Sequence, residues 1–277
     1  MTPSDTTSLA IIFVLYNAYG AMRNFLTAQA AGAPEGLHLV IVDNTPHADI
    51  DHDALEEFSR HPGVTLLIAE PENLGYAGAA HFAMQKLPAL AESDYVAISN
   101  TDLLYDAAEL LAGLNRLRGG HEGVGAIAPR LTHPSGEEKA QLHYVVAPSH
   151  RKYSQLVGIF SSYPLTVAHR LGADIKRFLG FSRGIQNVPR EIFAPHGALM
   201  ILTQAYFRKT RGFHHPAFLF CEEITIGAEC RDAGLKAVYE HSLSYTHDNH
   251  GAMGAIPSRR IVRYLHDAHK AVLPRLS

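Results

Sequence analysis

The most constraining feature of this chain is the run Leu9-Ala-Ile-Ile-Phe-Val-Leu-Tyr16, which has no charged or amide side chain. It has the length of a strand. Apolar character at every position, rather than every second one, predicts a strand buried on both faces. Such a strand needs helices on both sides of its sheet, and the next hundred or so residues supply that pattern. A helix is expected from about Ala21 to Ala31, closed by Gly32 and Pro34, then a strand over Leu37–Val42 that ends in the turn cluster Asp43-Asn44-Thr45-Pro46. A short helix follows over Ala54–Ser59, then a strand over Val64–Ala69, a helix over Ala77–Leu87 and a strand over Tyr95–Ser99. A helix over Asp106–Arg118 and a strand over Val124–Ala128 complete the series. This β-α-β-α rhythm predicts an α/β chain with a mostly parallel central sheet flanked by helices.

In open sheets of this kind a ligand sits outside the carboxyl ends of the strands. The residues to read are therefore those that follow each strand: Tyr16-Asn17, Asp43-Asn44-Thr45, Glu70 to Asn73, and Asn100-Thr101-Asp102. All four are expected to converge on one edge. Neither common phosphate-binding loop is present. Leu15-Tyr-Asn-Ala-Tyr-Gly20 carries no G-x-G-x-x-G, and no G-x-x-x-x-G-K-[ST] occurs, which disfavours a dinucleotide dehydrogenase and a P-loop NTPase.

The rhythm breaks after about Pro129, where residues 131–145 suggest a hairpin. From about His150 to Arg190 the chain carries Arg151, Lys152, Arg170, Lys176, Arg177, Arg183 and Arg190 against one acid, Asp174. Leu156, Ile159, Leu165, Leu171 and other apolar residues lie between them. This basic amphipathic insertion reads either as a solvated helical excursion or as a contact for an anionic membrane surface. A C-terminal helix over about Ser258–Val272 repeats the theme with Arg259, Arg260, Arg263 and Lys270. No apolar stretch approaches the roughly 20 residues of a membrane span. Met1–Ser8 has no Lys or Arg to start a signal peptide. A cytoplasmic chain, peripheral on the inner face of the membrane if the basic insertion binds there, is the expectation. Two cysteines in 277 residues agree with a reduced compartment, and a net charge of −3 leaves no global basic field for nucleic acid.

Three places could carry chemistry. Asn100-Thr-Asp102 ends a strand, where a carboxylate suits a hard divalent cation shared with phosphate oxygens, although the same triplet fits a helix N-cap. Glu222 and Glu223 stand where an aromatic segment enters a helix. There they serve either the helix dipole or general-base chemistry. His247 and His250 flank Asp248 after the strand-like Ser242–Thr246 and could reach a metal. The chain has 18 histidines, but His47, His52, His61, His121, His133 and His150 fall in turns or polar stretches, where exposure is expected.

Seven segments, in order, resemble the family-2 glycosyltransferases of the GT-A fold, a Rossmann-like fold of nucleotide-diphospho-sugar transferases. They are Val14-Leu-Tyr-Asn17, Val42-Asp-Asn-Thr45, Asn73-Leu-Gly-Tyr-Ala-Gly-Ala79, Ser99-Asn-Thr-Asp-Leu103, Gly197-Ala-Leu-Met200, Gly212-Phe213 with Phe220-Cys-Glu-Glu223, and Tyr245-Thr-His-Asp-Asn-His-Gly251. The late His-Asp-Asn run looks most like the rhamnosyltransferase-type branch of bacterial surface-polysaccharide synthesis. The resemblance implies one domain over 1–277: a nucleotide-sugar half (1–130), an acceptor half (131–257) carrying the basic insertion, and a basic helix (258–277). It places Tyr16, Asn17, Asp43, Asn73, Gly75, Gly78, Asn100 and Thr101 at the donor. Asp102 and His247 would sit at Mg2+ or Mn2+, and His196 and Gly197 would face the acceptor. Glu223 would be the base, with Glu222 shaping the site.

The family's usual Asp is Glu at 223, so either Glu222 or Glu223 could serve as base. Its usual Asp at 225 is Thr. The implied activity is an inverting, metal-dependent transfer from a dTDP- or UDP-sugar, dTDP-rhamnose favoured, to a saccharide acceptor, lipid-linked or free. A silent nucleotide-sugar-binding protein and a sugar nucleotidyltransferase are the alternatives. The latter wants a Gly-rich basic loop after the first strand, which Leu15–Gly20 lacks.

Overall fold

The computed structural model describes residues 7–29, 33–69, 71–138, 143–178 (backbone alone for 174–178), 189–210, 212–247 and 256–276. Its opening half follows the expected rhythm: β1 (Leu9–Leu15), α1 (Tyr19–Ala28), β2 (Leu37–Asp43), α2 (His52–Ser59), β3 (Val64–Ile68), α3 (Gly75–Lys86), β4 (Tyr95–Asn100), the two-residue β5 (Leu103–Leu104), α4 (Ala107–Leu117) and β6 (Val124–Thr132). Asp51 and Asp106 start α2 and α4 by accepting hydrogen bonds from backbone N–H groups of the first turn. The second half is α5 (His150–Phe160), α6 (Tyr163–Phe178), β7 (Glu191–Ile192), β8 (Leu199–Thr203), α7 (Gln204–Lys209), α8 (Glu222–Asp232), β9 (Lys236–His247) and α9 (Arg259–Val272).

The sheet runs β3-β2-β1-β4-β8-β6-β9-β5, with β7 also on β9. β1 lies between β2 and β4, parallel to both, and β6 is parallel to β9. β8 is inserted antiparallel between β4 and β6, so the sheet is mixed at its centre. Both faces are covered, as the run at 9–16 demanded. Leu9, Ile11, Phe13 and Leu15 pack beneath α1, α2 and α4, while Ala10 and Ile12 join a second core with Ala80 of α3, Tyr206 of α7 and Ile226 of α8. A smaller core joins Tyr153 of α5, Ile224 of α8 and Ala268 and Val272 of α9.

Several sequence expectations are corrected here. β6 runs through Pro129 to Thr132, and β9 starts at Lys236 rather than Ser242. A register shift places Pro129 opposite Glu240 and Arg130 opposite Ser244, so the outward Glu240 and His241 mask the strand pattern. Of the hairpin expected over 131–145, the described residues show a tight return in which Glu138 bridges antiparallel to Thr132, and Tyr144 bridges to Ala194; residues 139–142 lie outside the described residues. His121 is buried, 2.8 Å from the Tyr95 hydroxyl, rather than exposed. The basic insertion is helical in α5 and α6. Arg183, Asp248 and His250 lie outside the described residues. No described helix is long and apolar enough to cross a membrane.

Candidate active site

The carboxyl ends of β1, β2 and β4 meet the start of α3 and the amino end of β8 at one edge. Asn17, in the left-handed region at φ 51°, donates its N–H to Thr45 Oγ1 at 3.0 Å. Tyr16 beside it is exposed. Asp43 is fully buried, and both its oxygens are used within the protein: the Tyr19 hydroxyl donates to Oδ2 at 2.8 Å and the Thr45 N–H to Oδ1 at 3.0 Å. The Asn44 amide ties this loop to α3, donating to Asn73 Oδ1 and the Gly75 carbonyl and accepting from the Leu74 N–H at 2.7 Å. Asn73 Oδ1 also takes the Gly75 N–H. Gly75 has φ 75°, and a side chain there would run into the Phe218 carbonyl, so protein backbone fills the space its missing Cβ leaves. Gly78 lies one turn along α3, against Leu74.

Asn100 and Thr101 carry the chain to Asp102, whose side chain is 54% exposed. His247, at the end of β9, places Nε2 3.3 Å from Asp102 Oδ2 because β5 pairs Leu103 with His247. The His247 contact, helped by a hydrogen bond from Asn100, holds the Asp102 carboxyl below its ordinary range. The separation is close to the roughly 3 Å between adjacent ligands of an octahedral cation with 2.1 Å bonds, so one carboxylate and one imidazole fit a shared Mg2+ or Mn2+. Among the described residues no third His, Cys, Asp or Glu joins them.

From His247 a line of groups leads to the paired acids. The His247 and His196 rings lie 6.3 Å apart, and His143 Nδ1 accepts the His196 N–H at 2.9 Å. Withdrawal from water, with the neighbouring imidazoles, pushes His196 down to about 3, and burial pushes His143 to about 4. Both rings are neutral near pH 7. Gly197 follows. A Cβ built on it would sit 3.2 Å from Glu223 Oε2, so the glycine lets that carboxylate close on β8.

Glu222 and Glu223 are set by an unusual entry into α8. Phe220 and Cys221 are both left-handed, at φ 76° and 65°, a conformation that costs an L-residue on the order of 1–2 kcal/mol. His215 holds the turn, donating from Nε2 to the Phe220 carbonyl at 2.9 Å while Nδ1 accepts from the buried Thr225 hydroxyl at 2.8 Å. Thr225 thus has a structural partner where the family's usual Asp would stand. Glu222 turns back to accept the Phe220 N–H at 2.9 Å and is buried. Glu223 is half-buried, and the Tyr144 hydroxyl works against the rise that burial gives its carboxyl. Burial, then mutual repulsion, pushes Glu222 up to about 8, and burial raises Glu223 as well. Three residues were missed by sequence reasoning. Tyr144 and His143 lie in the irregular return after β6, where no spacing marks them. Tyr76, whose buried hydroxyl has no hydrogen-bond partner among the described residues, was hidden inside the Asn73–Ala79 segment.

Comparison with known proteins follows this geometry. The profile of "Glycosyl transferase family 2" matches residues 10–209, and the chain belongs to that family and is a glycosyltransferase. It is 21% identical over 280 residues to the N-acetylglucosaminyl-diphospho-decaprenol L-rhamnosyltransferase of Mycobacterium tuberculosis, covering 94% of this chain and 82% of that one. The fold is GT-A. Among solved structures, the mannosyltransferase PcManGT from Pyrobaculum calidifontis in complex with GDP-Man and Mn2+ superposes with a TM-score of 0.58 at 16% identity, over 99% of this chain and 67% of that chain. GalNAc-T7 with UDP, GalNAc and Mn2+ gives 0.56 at 13% identity, over 89% of this chain and 44% of that one.

Proposed function

We propose that this family-2 glycosyltransferase moves a sugar, rhamnose from dTDP-rhamnose in the favoured case, onto a lipid-linked saccharide with inversion at the anomeric carbon. The observation that carries the reading is the line Glu223–Gly197–His196–His247–Asp102, which supports a carboxylate base at one end and a cation position at the other. The name of the mycobacterial relative supports rhamnose and a diphospho-lipid acceptor, and the Mn2+ in two structural neighbours supports a divalent ion.

Residues 1–130 bind the donor and 131–257 the acceptor. Asn17, Asn73 and the loop ordered by Asp43 frame the nucleotide, with Tyr16, Gly75, Gly78, Asn100 and Thr101 around it. Asp102 and His247 hold Mg2+ or Mn2+ against the diphosphate. When bound, the ion neutralises charge on the leaving nucleotide, a contribution on the order of 3–4 kcal/mol by analogy with an oxyanion donor. Glu223 is the base, because Glu222 is committed to the Phe220 N–H. Its raised pKa makes it a stronger proton acceptor than an ordinary carboxylate once ionised. Tyr144 orients it, His196 and Gly197 border the acceptor hydroxyl, and one base with one displacement gives inversion.

The test is dTDP-rhamnose hydrolysis and transfer with Mn2+, for the wild type, Asp102→Ala and Glu223→Gln. Both variants should lose about 100-fold or more in kcat. Full activity in Asp102→Ala overturns the metal assignment. Nucleotide binding without turnover on a broad donor panel favours a silent sugar-nucleotide-binding protein.

A further inference from the structure

Over residues 163–173 the solvent side of α6 lacks the polar face that a surface helix of a water-soluble protein normally presents. Leu165 and Leu171 are 53% and 51% exposed, and Pro164, Ala168 and Ala173 lie on the same side. His169 is the one polar residue in that arc over 163–173. The buried side is set by Thr166, whose hydroxyl returns to the Ile159 and Ser162 carbonyls. The start of α9 lies against the first turn of α6, with Arg259, Arg260 and Arg263 all exposed and no acid in the first turn. Cations at a helix N-terminus oppose the macrodipole, so their position does not serve the helix. Among the described residues none of the three arginines forms an ion pair with an acid. The two elements are joined, since the Arg259 guanidinium lies 5.1 Å over the ring of Tyr163, the first residue of α6.

We propose that the outer face of α6, rimmed by the arginines at the start of α9, seats the enzyme on an anionic lipid bilayer. Apolar side chains enter the interface while guanidinium groups meet lipid phosphates, the arrangement of an interfacial helix. Charge selects the occupant. Three exposed arginines with no acid facing them complement an anionic headgroup layer. The surface also adjoins the cleft. Tyr264, on the same turn of α9 as Arg260, stacks on Phe218, whose carbonyl abuts Gly75. The use of this surface rests on the reading of a lipid-linked acceptor, but bilayer binding is measured without it.

The test is flotation of the whole protein with phosphatidylcholine vesicles, with and without phosphatidylglycerol. Co-flotation is expected with the anionic vesicles at low salt, with release at high salt. Arg259→Ser/Arg263→Ser should weaken partitioning about 30-fold. Leu165→Ser/Leu171→Ser should abolish retention on anionic vesicles. Both variants should keep donor hydrolysis in vesicle-free solution, so a failure of the catalytic reading shows there and a failure of this one in the flotation. No flotation, equal binding to neutral vesicles, or binding unchanged in both variants overturns the proposal. So does a dimer in solution that the leucine variant dissolves, which would assign the face to a second copy.

Discussion

Gly75→Ala should destabilise the protein by more than its one added methyl suggests. The residue has φ +75°, and a Cβ built on it lies 1.9 Å from the Phe218 carbonyl oxygen and 2.8 Å from the carbonyl carbon. The left-handed backbone costs an L-residue about 1–2 kcal/mol. Relieving an overlap with backbone, which cannot rotate away as a side chain can, adds about 1–3 kcal/mol. The sum is about 2–5 kcal/mol. At roughly 2.1 cal/mol/K of unfolding entropy per residue, a chain of 277 residues loses about 3–9 °C in Tm. Calorimetry measures this directly. Gly172→Ala is the control: nothing lies within 4 Å of a Cβ there, and removing a helical glycine should raise stability by about 0.5–1 kcal/mol. The displaced Phe218 leads into Phe220 and the acids of α8, so kcat should fall as well. A Gly75→Ala protein that melts with the wild type would refute the seating of the 218 loop against α3.

Three further outcomes are expected. Gly197→Ala puts a methyl 3.2 Å from Glu223 Oε2 and should lower kcat about tenfold with donor KM nearly unchanged; steady-state kinetics in which KM moves instead would count against Glu223 as base. Glu222 has a folded pKa raised from 4.5 to about 8, so the folded state binds more protons between the two; its contribution to stability is full below about 4.5 and is lost as pH rises towards about 8, where Glu222→Gln should raise Tm relative to wild type and at pH 4 should not, and Glu223 shifts in the same direction. His143 and His196 have the opposite sign: their pKa values are depressed to about 4 and about 3, so stability present above pH 6.5 is lost on acidification, and His143→Gln should flatten the fall in Tm between pH 6.5 and 4.

The strands of the first half were legible because burial on both faces leaves no room for polar residues. β1 and β4 carry none that breaks the run, and the turn cluster after Val42 marks an end that geometry confirms within a residue. The meeting of the loops after β1, β2 and β4 was equally legible, since parallel strands present their carboxyl ends on one side. What stayed hidden depends on contacts distant in sequence. β9 pairs Glu240 with Pro129 and Ser244 with Arg130, which leaves His241, Ser242 and Leu243 in a bulge between them, so its alternation is broken. The left-handed pair Phe220–Cys221 has no Gly or Asn to announce it, and it is held by His215. Asp43 reads as a ligand residue from its position, yet its oxygens are spent on Tyr19 and Thr45. His143 joins the imidazole row only because Tyr144 bridges to Ala194.

The insertion of β8 also dictates an order of assembly. β4 and β6 are finished by residue 132, but they never pair with each other; each waits for residues 199–203 to fill the gap between them. Until that point in synthesis both strands present open backbone edges, flanked by side chains that are buried in the finished sheet. A chain that stops before β8 therefore leaves one edge of β4 and both edges of β6 open, since β9 also comes later, and it should aggregate where the complete chain folds.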